Sequence, residues 1–271
     1  MQVESAAKGL LVSLYFAPFN QLEQQVLDDN SDFYKSSPDV VIIAARIEEM
    51  NKDLIHRYVN LSSTEIDEHL ENIQSRIQNL LGGLRPRSTA AVLVFNFADI
   101  EFHAAGLADA SLERSQASMV QSANDRLAGV CSRFTDVHVF DYARIVREHG
   151  LRAWSDLKLW YLAKIPFGAQ AQLELGRRLA RHISAVFSTP CKCLVVDLDN
   201  TLWGGVIGED GIGGILLGED YPGNVYKEFQ RRLVSLKDQG FLIAAASKNN
   251  ETDAKEVFDK HPDCLLNTDD F

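Results

Sequence analysis

The chain has 271 residues, 46% of them apolar, and a formal net charge of −11. That is one large domain or two ordinary ones with enough apolar side chain to fill real cores, and the acidic balance argues against DNA or RNA as a main partner. No apolar run is long enough to span a bilayer, the acidic start MQVESAAKGLLVSLYFAPF is no secretory signal, and Cys131, Cys191, Cys193 and Cys264 show no disulfide framework, which together point to a reduced, cytoplasmic protein with no membrane partner.

Short apolar runs alternate with helical patterns along the chain, the rhythm of parallel α/β architecture. Residues 10–16 read as a strand, and Asn20 as the cap of a short helix carrying Leu22, Val26 and Leu27. Residues 40–45 form a second predicted strand after the turn pair Pro38-Asp39. Ser62 and Glu65 make a capping-box pattern. Ile66, Leu70, Ile73, Ile77 and Leu80 then recur at helical spacing, and Gly82-Gly83 is expected to end that helix. Ala91–Phe95 reads as a buried strand, 111–134 as a long helix, Val137–Phe140 as a strand and 170–187 as a helix.

Ser188-Thr189-Pro190 breaks the pattern and marks the expected boundary between a unit over 1–189 and a second over 190–271. The rhythm then restarts. Cys193–Val196 is a strand, 225–237 an amphipathic helix, and 242–246 a strand. Asn250 caps a helix to about Lys260, and 264–266 is a short last strand. About eighty residues with few strands are thin for an independent core.

The chemistry-bearing pattern is VVDLDNTLWGG, 195–205. A strand ending in D-x-D-x-T puts two carboxylates at its carboxyl end, where open α/β sheets bind ligands. Asp197 and Asp199, two apart, point the same way from extended backbone. Clustered carboxylates repel unless a cation joins them, and Mg²⁺ suits oxygen ligands and works with phosphates. Asp197 is then the nucleophile toward phosphorus and Asp199 the general acid and base, while Thr201 offers a hydroxyl to steady the loop or the aspartates and is counted with the phosphate-binding residues. Gly204-Gly205 allows a sharp departure of the backbone. A second strand, FLIAAAS, ends at Ser247-Lys248, where a hydroxyl and an ammonium can meet phosphate oxygens. The plainer alternatives are a solvated acidic turn for the aspartates, a helix cap for Ser247 and a surface charge for Lys248.

Other residues stand apart from that pattern. Asn96 ends a strand, in a capping or turn role or lining a pocket. His138 reads as structural, and His103 has no visible partner. Cys193 shares a strand face with Asp197 but is expected to be buried and protonated. The aromatics of WSDLKLWYLAKIPF suit a packed surface between domains better than a binding face. No Ser/His/Asp set can be assembled in the first unit.

DLDNT at 197–201 resembles the first motif of the haloacid dehalogenase (HAD) superfamily of phosphatases and phosphotransferases, and Ser247 its second. KCLVVDLDNTLWGGVIGEDG, with LGEDYPGNVYKEFQRRLVSLKDQG, ASKNNETDA and VFDKHPDC, resembles the FkbH-like branch, subfamily IIIC. YFAPFNQLEQQVLDDNSDFYKSSPDVV and WSDLKLWYLAKIPFG resemble that family's N-terminal region, so the resemblance covers nearly the whole chain. It implies an SGNH-hydrolase-like α/β domain followed by part of a HAD-like parallel-sheet domain. It also implies a magnesium enzyme that dephosphorylates 1,3-bisphosphoglycerate, a phosphorylated three-carbon acid. The glyceryl group then passes to the phosphopantetheine thiol of an acyl carrier protein, in polyketide-type biosynthesis. The family's later motifs, a lysine and an acidic pair, are expected beyond Phe271. Its first strand is expected before MQVESAAKG, which then lies inside the first helix. On that expectation the chain alone is inactive. The rival functions are a magnesium-dependent small-molecule phosphatase with no carrier and a non-catalytic fragment that binds a partner.

Overall fold

The structure, a computed structural model, describes residue 9, residues 11–189 and residues 191–271. Residues 1–8, with the expected helix of MQVESAAKG, lie outside the described residues, as do Leu10 and Pro190. The chain is α/β with parallel sheets and divides into two units, Met1–Ser188 and Thr189–Phe271. Among the described residues no helix is long and apolar enough to cross a membrane.

In the first unit, β1 (Val40–Ile43), β2 (Ala91–Phe95) and β3 (Val137–Phe140) form one parallel sheet in that order. The register runs Val40 to Ala91 and Val92 to Val137. Alternate side chains leave β2 on opposite faces. Val92 and Val94 join α2 (Ser63–Leu84) and α3 (Gln116–Cys131) in one apolar cluster. Leu93 and Phe95 join α4 (Tyr142–His149) and α5 (Ala169–Phe187) in another. Every residue of β2 is therefore buried, each large aliphatic one contributing roughly 1.5–3 kcal/mol of transfer free energy. The capping box of α2 forms as its sequence predicts: Ser62 Oγ accepts from Glu65 N at 3.3 Å, and Ser62 N donates to Glu65 Oε2 at 2.8 Å.

Four expectations are corrected here. Residues 11–16 form no strand, and Leu11 and Phe16 are exposed. An apolar run makes a strand only where an edge is available. The short helix α1 (Leu22–Leu27) exists, but its N-cap is Gln21, and Asn20 sits in a left-handed turn at φ 59°. Gly82-Gly83 does not stop α2, which continues to the fully buried Leu84; a Cβ on Gly83 would meet Leu27 at 3.1 Å, so this glycine serves a close approach. The helix expected over 111–134 is shorter, because Ser115 caps it by accepting from Ser118 N at 3.0 Å.

The second unit holds a two-stranded parallel sheet, β4 (Cys193–Val196) with β5 (Leu242–Ala245), in register Cys193 to Leu242 and Val196 to Ala245. Helices α6 (Gly223–Asp238) and α7 (Glu251–Lys260) pack with Val196, Leu198, Trp203 and Ile243 in one cluster. The strand expected at 264–266 is absent. Leu265 N donates to Gln230 Oε1 at 2.8 Å, so a side chain on α6 takes the bond that a ladder would have supplied.

Candidate functional site

β4 runs straight into the aspartate loop. Asp197 is the first residue past the strand and is exposed, Leu198 is buried, and Asp199 is half-buried, so the two carboxylates flank an apolar anchor. Asp197 Oδ1 accepts from Leu198 N at 2.8 Å. Asp199 Oδ1 accepts twice, from the Trp203 indole at 3.0 Å and from Ile207 N at 3.2 Å. Asn200 takes φ 55°, a left-handed conformation that asparagine tolerates, and its Oδ1 accepts from Gly205 N at 3.0 Å, closing the loop. Gly205 itself has φ 95°, and a Cβ on Gly204 would stand 2.8 Å from the Tyr226 ring, so both glycines are required by geometry.

β5 ends beside β4. Ala246 N donates to Val196 O at 2.9 Å, which brings Ser247 and Lys248 to the same carboxyl end as Asp197. Both are exposed. Ser247 is not the helix cap; Asn250 is the N-cap of α7, and Ser247 Oγ accepts from Asn249 N at 3.2 Å in a tight turn. Thr201 is half-buried in the turn after Asp199, its N donating to Leu198 O at 3.1 Å. Its hydroxyl has no hydrogen-bond partner among the described residues; Asn200 steadies the loop instead.

Among the described residues no group of three His, Cys, Asp or Glu side chains is disposed to hold a metal ion. Magnesium does not require one: it binds through one or two carboxylates and completes its shell with waters and phosphate oxygens. Asp197 and Asp199 supply hard oxygen donors of that kind and number.

Three residues of this unit carry no sign of their role in the sequence. Trp203 is completely buried and holds Asp199; in the sequence it reads as one more core aromatic. Gln230, also completely buried, donates to Leu202 O at 2.8 Å and so ties α6 to the aspartate loop. Lys227 is buried between Glu219, at 2.5 Å, and Asp263, at 2.7 Å. Cys193 is exposed, against the expectation of a buried thiol.

Asn96, His103 and Trp154 of the first unit have structural partners. Asn96 Nδ2 donates to Asp141 Oδ1 and its Oδ1 accepts from Ala143 N, both at 2.8 Å, which ties the end of β2 to the start of α4. His103, expected to lack partners, stands between Asp99 at 3.1 Å and the buried Asp109 at 3.0 Å. His138 is exposed on β3. Trp154 is buried in this unit's own core, its indole donating to Tyr142 Oη at 2.8 Å. Trp160 lies under the Arg46 guanidinium at 4.3 Å. With Asn96 and Tyr142 it lines a cavity of about 290 Å³ at the carboxyl ends of the strands.

Known proteins bear on both units. The family profile of the FkbH N-terminal domain matches residues 1–180. The crystal structure of the N-terminal part of the protein BF1531 from Bacteroides fragilis, containing a phosphatase domain and complexed with Mg, is similar at 28% sequence identity and a TM-score of 0.81. The match covers 99% of this chain and 69% of that one. No curated protein matches the chain. The chain therefore belongs to the FkbH family, with a phosphatase-domain protein as a relative along almost its whole length.

Proposed function

We propose that the protein is a magnesium-dependent phosphoryl-transfer enzyme of the FkbH type, with Asp197 as nucleophile and Asp199 as general acid and base. The observation that carries this reading is the parallel pairing of β4 with β5, which sets Asp197 and Ser247 at one end of one sheet. The relative complexed with Mg supports the choice of metal. Asp197, with Asp199 beside it, would hold the ion, which would supply charge neutralisation for carboxylate and phosphate. Ser247, Lys248 and Thr201 donate to the phosphate oxygens.

The substrate that fits the family is 1,3-bisphosphoglycerate, and the acceptor is the phosphopantetheine thiol of an acyl carrier protein. A glyceryl thioester with a free 3-hydroxyl requires both phosphates to leave. At C3, an Asp197 oxygen bonds phosphorus while the C3 oxygen departs with a proton from Asp199. Water, deprotonated by Asp199, then releases phosphate and restores Asp197. At C1, the carrier sulfur bonds the carbonyl carbon as its thiol gives up its proton to water, and the C1–oxygen bond breaks to release inorganic phosphate.

The test is the carrier's mass after incubation with 1,3-bisphosphoglycerate and Mg²⁺. A gain of one glyceryl group is expected, lost when the phosphopantetheine is removed. Asp197→Asn should reduce phosphate release by about a million-fold, as lost nucleophiles do. Phosphate release without mass gain on a cognate carrier leaves a plain phosphatase. Neither outcome leaves a partner-binding chain without chemistry.

A further inference from the structure

Asp199 has an asymmetric environment. Its Oδ1 accepts two N–H groups, from the Trp203 indole and the Ile207 backbone. Its Oδ2 has no hydrogen-bond partner among the described residues. An indole nitrogen only donates, so an oxygen that already faces it and a backbone N–H cannot also point a proton at them. Protonation is therefore confined to Oδ2.

The indole is itself held from several sides. Trp203 is completely buried, and its ring meets Phe258 of α7 edge-on at 5.7 Å. The preceding carbonyl, of Leu202, accepts from the buried Gln230 at 2.8 Å. The following residue, Gly204, pairs both ways with Leu216, at 3.0 and 2.7 Å. Asp199 and Trp203 also form a parallel β-bridge. Such a ring has no freedom to follow a moving carboxylate; the carboxylate must follow the ring.

We propose that Trp203 is a positioning residue that fixes Asp199 so that Oδ2 is the oxygen that gives and takes the proton. This rests on the reading of Asp197 and Asp199 as the phosphoryl-transfer pair. When the phosphorus–oxygen bond of an alkyl phosphate breaks, the Oδ2 proton passes to the departing oxygen as the Asp197–phosphorus bond forms. Oδ2 then recovers a proton from the attacking water. A donor on Oδ1 that strengthens as Asp199 becomes anionic favours that proton's release.

Two experiments decide it. The first uses the indole N–H signals of the three tryptophans in ¹⁵N-labelled protein. Asp199→Ala should move the Trp203 signal upfield and leave those of Trp154 and Trp160 in place, and Asp199→Asn, which keeps an acceptor oxygen, should retain it. An unmoved Trp203 signal in Asp199→Ala overturns the tether without requiring Trp203 itself to be changed.

The second compares leaving groups. Trp203→Phe keeps the ring and deletes the donor. It should lose on the order of tenfold more kcat on 3-phosphoglycerate, whose alkoxide needs a proton, than on p-nitrophenyl phosphate, whose leaving group needs little. KM should change little on either. Equal losses on both esters, or no loss, overturn the positioning role. Full turnover by Asp197→Asn overturns the phosphoryl-transfer reading and this inference with it.

Discussion

The two sheets are written in nearly the same letters and are covered differently. β2 is AVLVF with every residue buried; β4 is CLVV with Val196 buried, Leu194 half-buried, and Cys193 and Val195 exposed. In the first unit α2 and α3 contribute to the cluster on one face, and α4 and α5 to the other. In the second, α6 and α7 both contribute to a single cluster, and the opposite face shows Val195 at 61% and Leu242 at 68% exposure. The apolar run is common to both strands and does not tell them apart. Whether both faces are covered depends on how many helices pack on it, and that information lies elsewhere in the chain.

Two leucines break or sharpen this comparison most strongly. Leu93, in the middle of β2, is 1% exposed. Leu93→Ala should destabilise by about 2–5 kcal/mol, because it removes apolar contact and leaves a cavity. Leu242, at the start of β5, is mostly exposed, and Leu242→Ala should stay within about 0.5 kcal/mol. Urea unfolding of the two variants checks both. Equal losses would mean that the Leu242 face is covered in solution.

Smaller effects are expected from the glutamines, which play one role in both units. Gln116 donates to Leu54 O at 3.0 Å and accepts from Ala104 N at 2.5 Å; Gln230 joins Leu202 O and Leu265 N in the same way. Both are completely buried. Replacing either by Ala strands two backbone groups, at a cost of about 1–3 kcal/mol. If Gln230→Ala costs far less than Gln116→Ala, water reaches the aspartate loop and the second unit is looser than its contacts imply.

These glutamines also mark the limit of what the sequence discloses. The strands Ala91–Phe95, Val137–Phe140 and Cys193–Val196, the Ser62 capping box and the position of DLDNT past a strand end are legible because each is a local pattern of hydropathy or turn chemistry. Gln230 reaches partners 28 and 35 residues away, and Gln116 one 62 residues away; a lone glutamine carries no sign of that. Trp203 hides for the opposite reason. Its partner is four residues distant, but a tryptophan after a leucine reads as core, and its role depends on which way the indole nitrogen points. Residues 11–16 and 264–266 mislead because an apolar stretch does not disclose whether a ladder is available to it.

The smallest effect is a pH dependence, and it again separates the units. Lys227 is buried on α6, and its bonds to Asp263 and Glu219 hold its pKa above the ordinary lysine value. The same ammonium holds Asp263 below the ordinary carboxylate range. A lowered carboxylate stabilises fully above its unfolded pKa, about 3.9, and loses that contribution as pH falls through the lowered value. A raised lysine stabilises fully below its unfolded pKa, about 10.4, and loses it as pH rises through the raised value. Lys227→Met should therefore lower Tm by a constant amount across neutral pH, and the gap should narrow below about pH 4 as Asp263 takes up its proton. Lys35 of the first unit makes a similar contact with Asp32, at 2.8 Å, but both side chains are about two-thirds exposed or more. Solvent screens such a pair, so Lys35→Met should leave Tm nearly unchanged at every pH. Thermal melts of the two variants from pH 3 to pH 8 check this. A gap for Lys227→Met that stays constant down to pH 3 would mean that the buried ammonium packs without its carboxylates.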